Sequence, residues 1–346
     1  MKKHCQSEAS DYSSKTNKSK MSFMKKLILF TLFNLLFSLI TGPFIVFYGP
    51  FENVKQSVIG IFVTSTNYEY VAKLFLSTKD IKEIMSDIQA VDPTKSGEEI
   101  EKLSFSEDKE DKIDLYNIEG DGFVGKMLII SNPMSVKVGY SSQLGSIGET
   151  TSTIARRNDA VAAINGGGFS DYKWTGTGGI PLGFIISEGK MIFDDIKDED
   201  EKRDTIGISD EGMLIVGSHT MEEIKKYNIR EGVTFGPPLV VNGEPTIKSG
   251  DGGWGIAPRA AIAQTYDGSI VFLVIDGRSI GSIGATLKDV QDILLKYDVV
   301  NAANLDGGSS TTLYFNNRVV NTPSDSLGER TIPSVFMVIP SGEDKE

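Results

Sequence analysis

Thiol and imidazole chemistry are nearly missing from this sequence. Its 346 residues contain one cysteine, Cys5, and two histidines, His4 and His219. A single cysteine allows no intramolecular disulfide, and its place near the N-terminus leaves the rest of the chain without a thiol nucleophile or a Cys-ligated metal. A Ser-His-Asp triad would have to rest on His219, which stands just before a predicted helix and reads as a surface residue. No G-x-S-x-G, Walker A, H-E-x-x-H or EF-hand pattern occurs. Cationic residues are outnumbered, 35 Lys and Arg against 47 Asp and Glu, and the net charge of −12 argues against a nucleic-acid partner. What remains for proton transfer is carboxylates.

The charge is unevenly spread. Residues 1–26 hold seven lysines against Glu8 and Asp11, so +5 of the −12 total sits there and the remainder carries −17. Directly after comes LILFTLFNLLFSLITGPFIVFY, residues 27–48, without a charged side chain and long enough to cross a hydrocarbon core as a helix. The basic flank puts the N-terminus in the cytoplasm and the bulk of the protein outside. The segment ends in aromatics rather than small residues, which favours a retained anchor over a cleaved signal peptide.

Beyond the anchor, residues 49–114 read as an amphipathic helix and a polar linker. Ile81, Ile84, Met85 and Ile88 recur at helical spacing, and residues 91–114 are acidic and poor in aromatics. Residues 115–342 change texture to short apolar runs punctuated by glycine. KMLII, SVKVGY, AVAAI, LGFIIS, MLIV, PLVV, AAIAQTY, SIVFLVI, VVNAANL, TTLYF and SVFMVI are predicted strands. Thr220 to Glu223 forms a capping box before one helix, and Thr286 precedes a second whose apolar stripe is Leu287, Val290, Ile293, Leu294 and Tyr297. The expected class is α+β, a mixed β-sheet domain with flanking helices preceded by one N-terminal transmembrane helix.

Three strands end in Asn or Asp followed at once by glycine, at Asn165, Asp276 and Asp306. Such positions lie where a buried strand leaves the core, and strand ends that share an edge build pockets. Asn242-Gly243 and Asp267-Gly268 instead read as plain hairpin turns. A long glycine-rich loop follows Asn165, beginning with Gly166 and Gly167, where backbone N–H groups can approach a ligand. Asp306 is followed by two glycines, Ser309, Ser310 and two threonines. Arg259, Arg278 and Arg330 are the arginines nearest these loops, and a planar guanidinium suits capture of a phosphate. Each has an alternative use in pairing with a neighbouring acid.

Glycosidic cleavage needs one carboxyl group at the leaving oxygen and another as base or nucleophile. Asp306, Glu329 and Asp276 are the candidate catalytic residues, with Asp171 weaker. Phe169, Tyr172, Trp174 and Tyr314 are aromatics that either stack on a sugar or fill core. The acidic run 194–204 reads as a solvated loop or a site for a divalent cation. No cofactor is called for, and metal ligands stay unassigned.

Residues from about Ile118 to Pro340 resemble the phosphodiester glycosidase family. The matching stretches are AINGGGF, GFIISEGK, FGPPLVVNGE, APRAAIAQTYDGSIVFLVIDGR, GATLKDVQDILLKY, NAANLDGGSSTTLYFNNRVVNTPSD and GERTIPSVFMVI. The resemblance implies a pocket built by the segments holding Asn165, Arg259, Asp276, Arg278, Asp306, Ser309, Ser310 and Arg330. It also implies removal of a sugar from a sugar-1-phosphate diester, here in a cell-surface glycopolymer. Gly168 stands where relatives often place a second aromatic, and the cysteines of the animal enzymes are absent. A non-catalytic glycopolymer-binding module and a metal-dependent phosphodiesterase with Asp276 and Asp306 as ligands are the alternatives.

Overall fold

The computed structural model of the chain describes residues 2–64, 69–88, 111–170 and 177–340. Most of the expected linker, together with Asp171, Tyr172 and Trp174, lies outside the described residues.

One continuous helix, Lys2–Tyr48, contains a stretch, Met24–Tyr48, that is long and apolar enough to cross a membrane. Three of its polar side chains bond to its own backbone: Thr31 Oγ1, Asn34 Nδ2 and Thr41 Oγ1 each donate to the carbonyl four residues earlier. That removes the cost of an unpaired polar group in hydrocarbon. Phe47, at the end of this helix, is buried with Ile59, Ala72, Ile81 and Met85. These residues join it to three short helices, Glu52–Thr64, Glu69–Phe75 and Thr78–Ile88. The last is the expected amphipathic helix.

The remaining described chain is built on three large antiparallel sheets and one two-stranded sheet, Phe169–Ser170 with Ile180–Pro181. The largest has seven strands in the order Ile113–Gly120, Phe123–Ile130, Ile270–Ile275, Arg259–Thr265, Val299–Leu305, Pro238–Val241 and Glu244–Pro245. Its central strands are covered on both faces, which is why IVFLVI and VVNAANL are buried at every position instead of alternating. On one face Met127, Leu273 and Ile275 pack with Leu287, Val290 and Leu294 of the helix Leu287–Leu295. Each such fully buried side chain contributes about 2 kcal/mol. On the other face Leu128, Ile262 and Phe272 share a core with Ile164, Phe336 and Ile206 of the two five-stranded sheets. One of these sheets orders Leu214–His219, Arg203–Ser209, Ile229–Thr234, Phe184–Ser187 and Lys190–Asp194; the other orders Arg318–Val319, Leu313–Phe315, Ala162–Asn165, Ser334–Val338 and Val136–Tyr140.

Every predicted strand forms, and both predicted helices carry their capping boxes. The two predicted hairpin turns also form, with Asn242, Gly243 and Gly268 at positive φ. His219 corrects the surface reading. It is fully buried, its Nδ1 lies 3.1 Å from the Gly217 carbonyl, and its ring meets Tyr227 edge-on at 5.5 Å.

Candidate active site

The turn after the strand Val299–Leu305 gathers the three Asx-Gly strand ends. Asn165 ends its strand fully buried; its Nδ2 donates to the Asp306 carbonyl and its Oδ1 accepts from the Thr312 backbone N–H at 3.1 Å. The Asp306 N–H donates back to the Gly166 carbonyl at 3.2 Å, so the backbone of Asp306 is held from both sides. Asp276 reaches the same turn through Asn321. Asp276 Oδ1 accepts from Asn321 Nδ2 at 3.1 Å and from the Thr322 N–H at 3.0 Å, while Asn321 also bonds the Thr311 carbonyl and the Leu313 N–H. Asp306 itself is partly exposed, as are Gly307, Gly308 and Ser309, whereas Ser310 is buried. The hydroxyls of Thr311 and Thr312, at 1% and 0% exposure, have no hydrogen-bond partner among the described residues.

Arginines flank this turn. The Arg278 guanidinium lies beside Gly308, where an added Cβ would stand 3.1 Å from Nη2. Arg278 is exposed and sits at φ 57°. Arg330 Nη1 donates to Ser309 Oγ at 2.9 Å, and its guanidinium stacks over the Phe169 ring at 4.9 Å. Two neighbouring residues of one glycine-rich turn therefore each touch a guanidinium.

Arg259 does not share that position. At 3% exposure, its Nε donates to the Ala285 carbonyl at 3.0 Å and its Nη2 to the Trp254 and Gly255 carbonyls. Burial pushes its pKa down to about 10, Asp251 opposes the shift and Arg278 adds to it, so it remains a cation at neutral pH. Its Nε and Nη2 are thus spent on main-chain carbonyls, unlike the guanidinium groups of Arg278 and Arg330 at the turn.

The N–H groups of Gly166 and Gly167 are spent within the chain too. Both are buried without positive φ, and their N–H groups donate to the Ser334 carbonyl at 2.9 Å and the Ser334 Oγ at 3.2 Å rather than toward a ligand. Glycine is required here for close approach, since a Cβ on Gly166 would come within 2.7 Å of Ser334 Oγ and one on Gly167 within 2.8 Å of the Thr234 carbonyl.

Glu329 lies one residue from Arg330, yet both its oxygens accept from Ser152, Oε2 from the backbone N–H at 2.8 Å and Oε1 from the hydroxyl. Ser152 is in the first turn of the helix Thr151–Arg157, where a carboxylate meets unpaired N–H groups. Tyr314 is fully buried core, bonded to Asn317, and is not a stacking surface. Among the described residues no group of three His, Cys, Asp or Glu is placed to hold a metal, and residues 197–202 of the acidic run are exposed. Asn321 and Ser334 escaped sequence reasoning because each acts through partners more than a hundred residues away or across a loop, with no spacing signal.

A family model described as phosphodiester glycosidase matches residues 158–339, more than half of the chain. A prophage-derived uncharacterized protein of Bacillus subtilis is 27% identical over 202 residues, covering 56% of this chain and 30% of that protein. N-acetylglucosamine-1-phosphodiester alpha-N-acetylglucosaminidase of Bos taurus is 29% identical over 196 residues, covering 51% of this chain and 35% of the relative. The chain thus spans about a third of the length of these curated relatives. The catalytic domain of the zebrafish enzyme of the same name, solved auto-inhibited by its pro-peptide, superposes with a TM-score of 0.53 over 72% of this chain and 86% of that one, at 24% identity. That likeness shows a common fold.

Proposed function

The chain belongs to the phosphodiester glycosidase family, and from that premise we propose that it is an extracytoplasmic hydrolase cleaving a sugar from a sugar-1-phosphate diester in a cell-surface glycopolymer. The observation that carries this reading is the Gly308–Ser309 turn with a guanidinium against each residue, directly after Asp306. A phosphodiester loses its sugar by C–O cleavage, and negative charge builds on the departing phosphate. Arg278 and Arg330 are placed to neutralise that charge. Asp306 acts at the anomeric centre, as nucleophile or base, and Asp276, oriented by Asn321 and Thr322, is the second carboxylate. Water supplies the hydroxyl that ends on the sugar, and the phosphate leaves as a monoester. Glu329, tied to Ser152, supports the Arg330 loop.

Residues 1–26 form the cytoplasmic tail, residues 27–48 the anchor and residues 115–342 the catalytic domain in this reading. The basic tail and the uncharged span support that topology.

Incubating the full chain with synthetic sugar-1-phosphate diesters in ¹⁸O-water tests the proposal. Label in the released sugar is expected. Label in the phosphate would select a phosphodiesterase instead, and tight binding without any product would select a binding module.

A further inference from the structure

The helix Glu52–Thr64 follows the apolar helix directly and packs against a catalytic-domain loop, residues 251–255. Ser57 Oγ donates to Asp251 Oδ2 at 2.8 Å. Gly60 meets Gly253 backbone to backbone, so closely that an added Cβ would stand 2.3 Å from the Gly253 carbonyl oxygen. Gly255, at φ 61°, accommodates Ile61 in the same way, where an added Cβ would lie 2.4 Å from Ile61 Cγ1. Three contacts within little more than one turn of the helix, two of them needing glycine, describe a fitted interface.

The loop at this interface is joined to the candidate active site. Asp251 Oδ1 accepts from the Gly253 N–H at 2.8 Å and shapes the loop from inside. The loop presents the Trp254 and Gly255 carbonyls that hold Arg259, and Asp251 favours the charged form of that guanidinium. Arg259 adjoins Pro258, whose carbonyl accepts from the Gly308 N–H at 2.9 Å, and Gly308 is the residue against which Arg278 lies. Trp254 also meets Phe235 at 6.0 Å, and Phe235 backs the glycine-rich loop at Gly168. Ser57, Asp251, Arg259, Pro258 and Gly308 thus form one connected path, with no stretch of loose loop in it.

We propose that the helix Glu52–Thr64 is a working part of the catalytic unit, with Asp251 as the positioning residue through which it sets the Gly308 wall of the cleft. The inference rests on the functional reading above only where it speaks of turnover. It assigns the membrane-proximal helix to the site, so the anchor holds the cleft at a set orientation to the bilayer instead of tethering it through a free linker.

The test uses the full chain in nanodiscs and two readouts, hydrogen exchange of amides 251–259 and 307–312, and kcat and KM on a sugar-1-phosphate diester. Gly60→Leu should wedge the helix off the loop, raise exchange in both segments and raise KM about tenfold with a smaller change in kcat, the size expected from a small displacement of a binding wall. Ser57→Ala should do the same more weakly, and Ser57→Thr, which keeps the hydroxyl, should return both readouts to wild-type values. Val54→Ala, at a side chain of the same helix that stays exposed one turn before the contact, should change neither. Unchanged exchange at 251–259 in Gly60→Leu would overturn the docking, and raised exchange with unchanged KM would overturn the positioning role. Should the wild type turn over no diester at all, the functional reading fails, and exchange at 307–312 alone decides the coupling.

Discussion

The turn from Asp306 to Thr312 has an inner and an outer side, and they are built on opposite principles. Inside, Asn165 and Asn321 spend their polar atoms on protein partners, and the glycines behind them exist so that Ser334 and Thr234 can come close. Outside, Arg278 and Arg330 stand over glycine and serine with solvent access. Saturated polar groups give a turn its shape, because a buried group without a partner costs more than a made hydrogen bond returns. Charges left open at a rigid turn are the ones available to a ligand.

The comparison is most sharply tested at Asp306, whose backbone belongs to the inner side and whose carboxylate is assigned to chemistry. Asp306→Asn should cut sugar release about 10³-fold or more with the melting temperature unchanged, since only the carboxylate is altered. An equal loss of stability would put the side chain with the inner wall. Asn165→Leu should do the reverse. It strands the Thr312 N–H and the Asp306 carbonyl in a dry interior, and denaturant unfolding should show a loss of about 3 kcal/mol. Arg278→Ala should leave unfolding untouched and raise KM about tenfold, the value of one charge-assisted hydrogen bond. A stability loss in that variant would erase the distinction between the two sides.

The smallest effect concerns a carboxylate remote from the turn. Glu231 is fully buried, and burial raises its pKa despite bonds from the Val138 and Glu188 N–H groups and the nearby Lys137 and Arg230. The folded protein therefore holds its proton to higher pH than the unfolded chain does. The stabilising contribution is fully present below the ordinary value of 4.5 and is lost as pH rises through the raised one. Glu231→Gln should flatten that part of the stability-against-pH curve, measured by thermal melting at a series of pH values. A curve parallel to the wild type would show that the buried carboxylate is not the source.

Much of this architecture could be read from residue order. Strands such as IVFLVI and VVNAANL announced themselves because both faces are buried and no charged residue interrupts them. Strands that escaped, among them Ile113–Gly120, Lys190–Asp194, Arg203–Ser209 and Ile229–Thr234, carry exposed or charged positions, and Ile229–Thr234 hides the buried Glu231 in its middle. Asn165, Asp276 and Asp306 were legible as strand ends with a shared grammar, and Arg278 and Arg330 as nearby cations. Arg259 looked the same as those two on paper. Its guanidinium is consumed by the loop 251–255, and nothing local to APRAAIA says so.

By itself the sequence determined the apolar span, the strand cores, the helix caps and the family, because each of those depends on the period, composition or order of neighbouring residues. Tertiary structure alone decided which polar groups are spent and which remain open. A hydrogen bond is satisfied by whichever partner arrives from elsewhere in the chain, and Ser152 with Glu329, Asn321 with Asp276 and Ser57 with Asp251 meet only when the fold is complete.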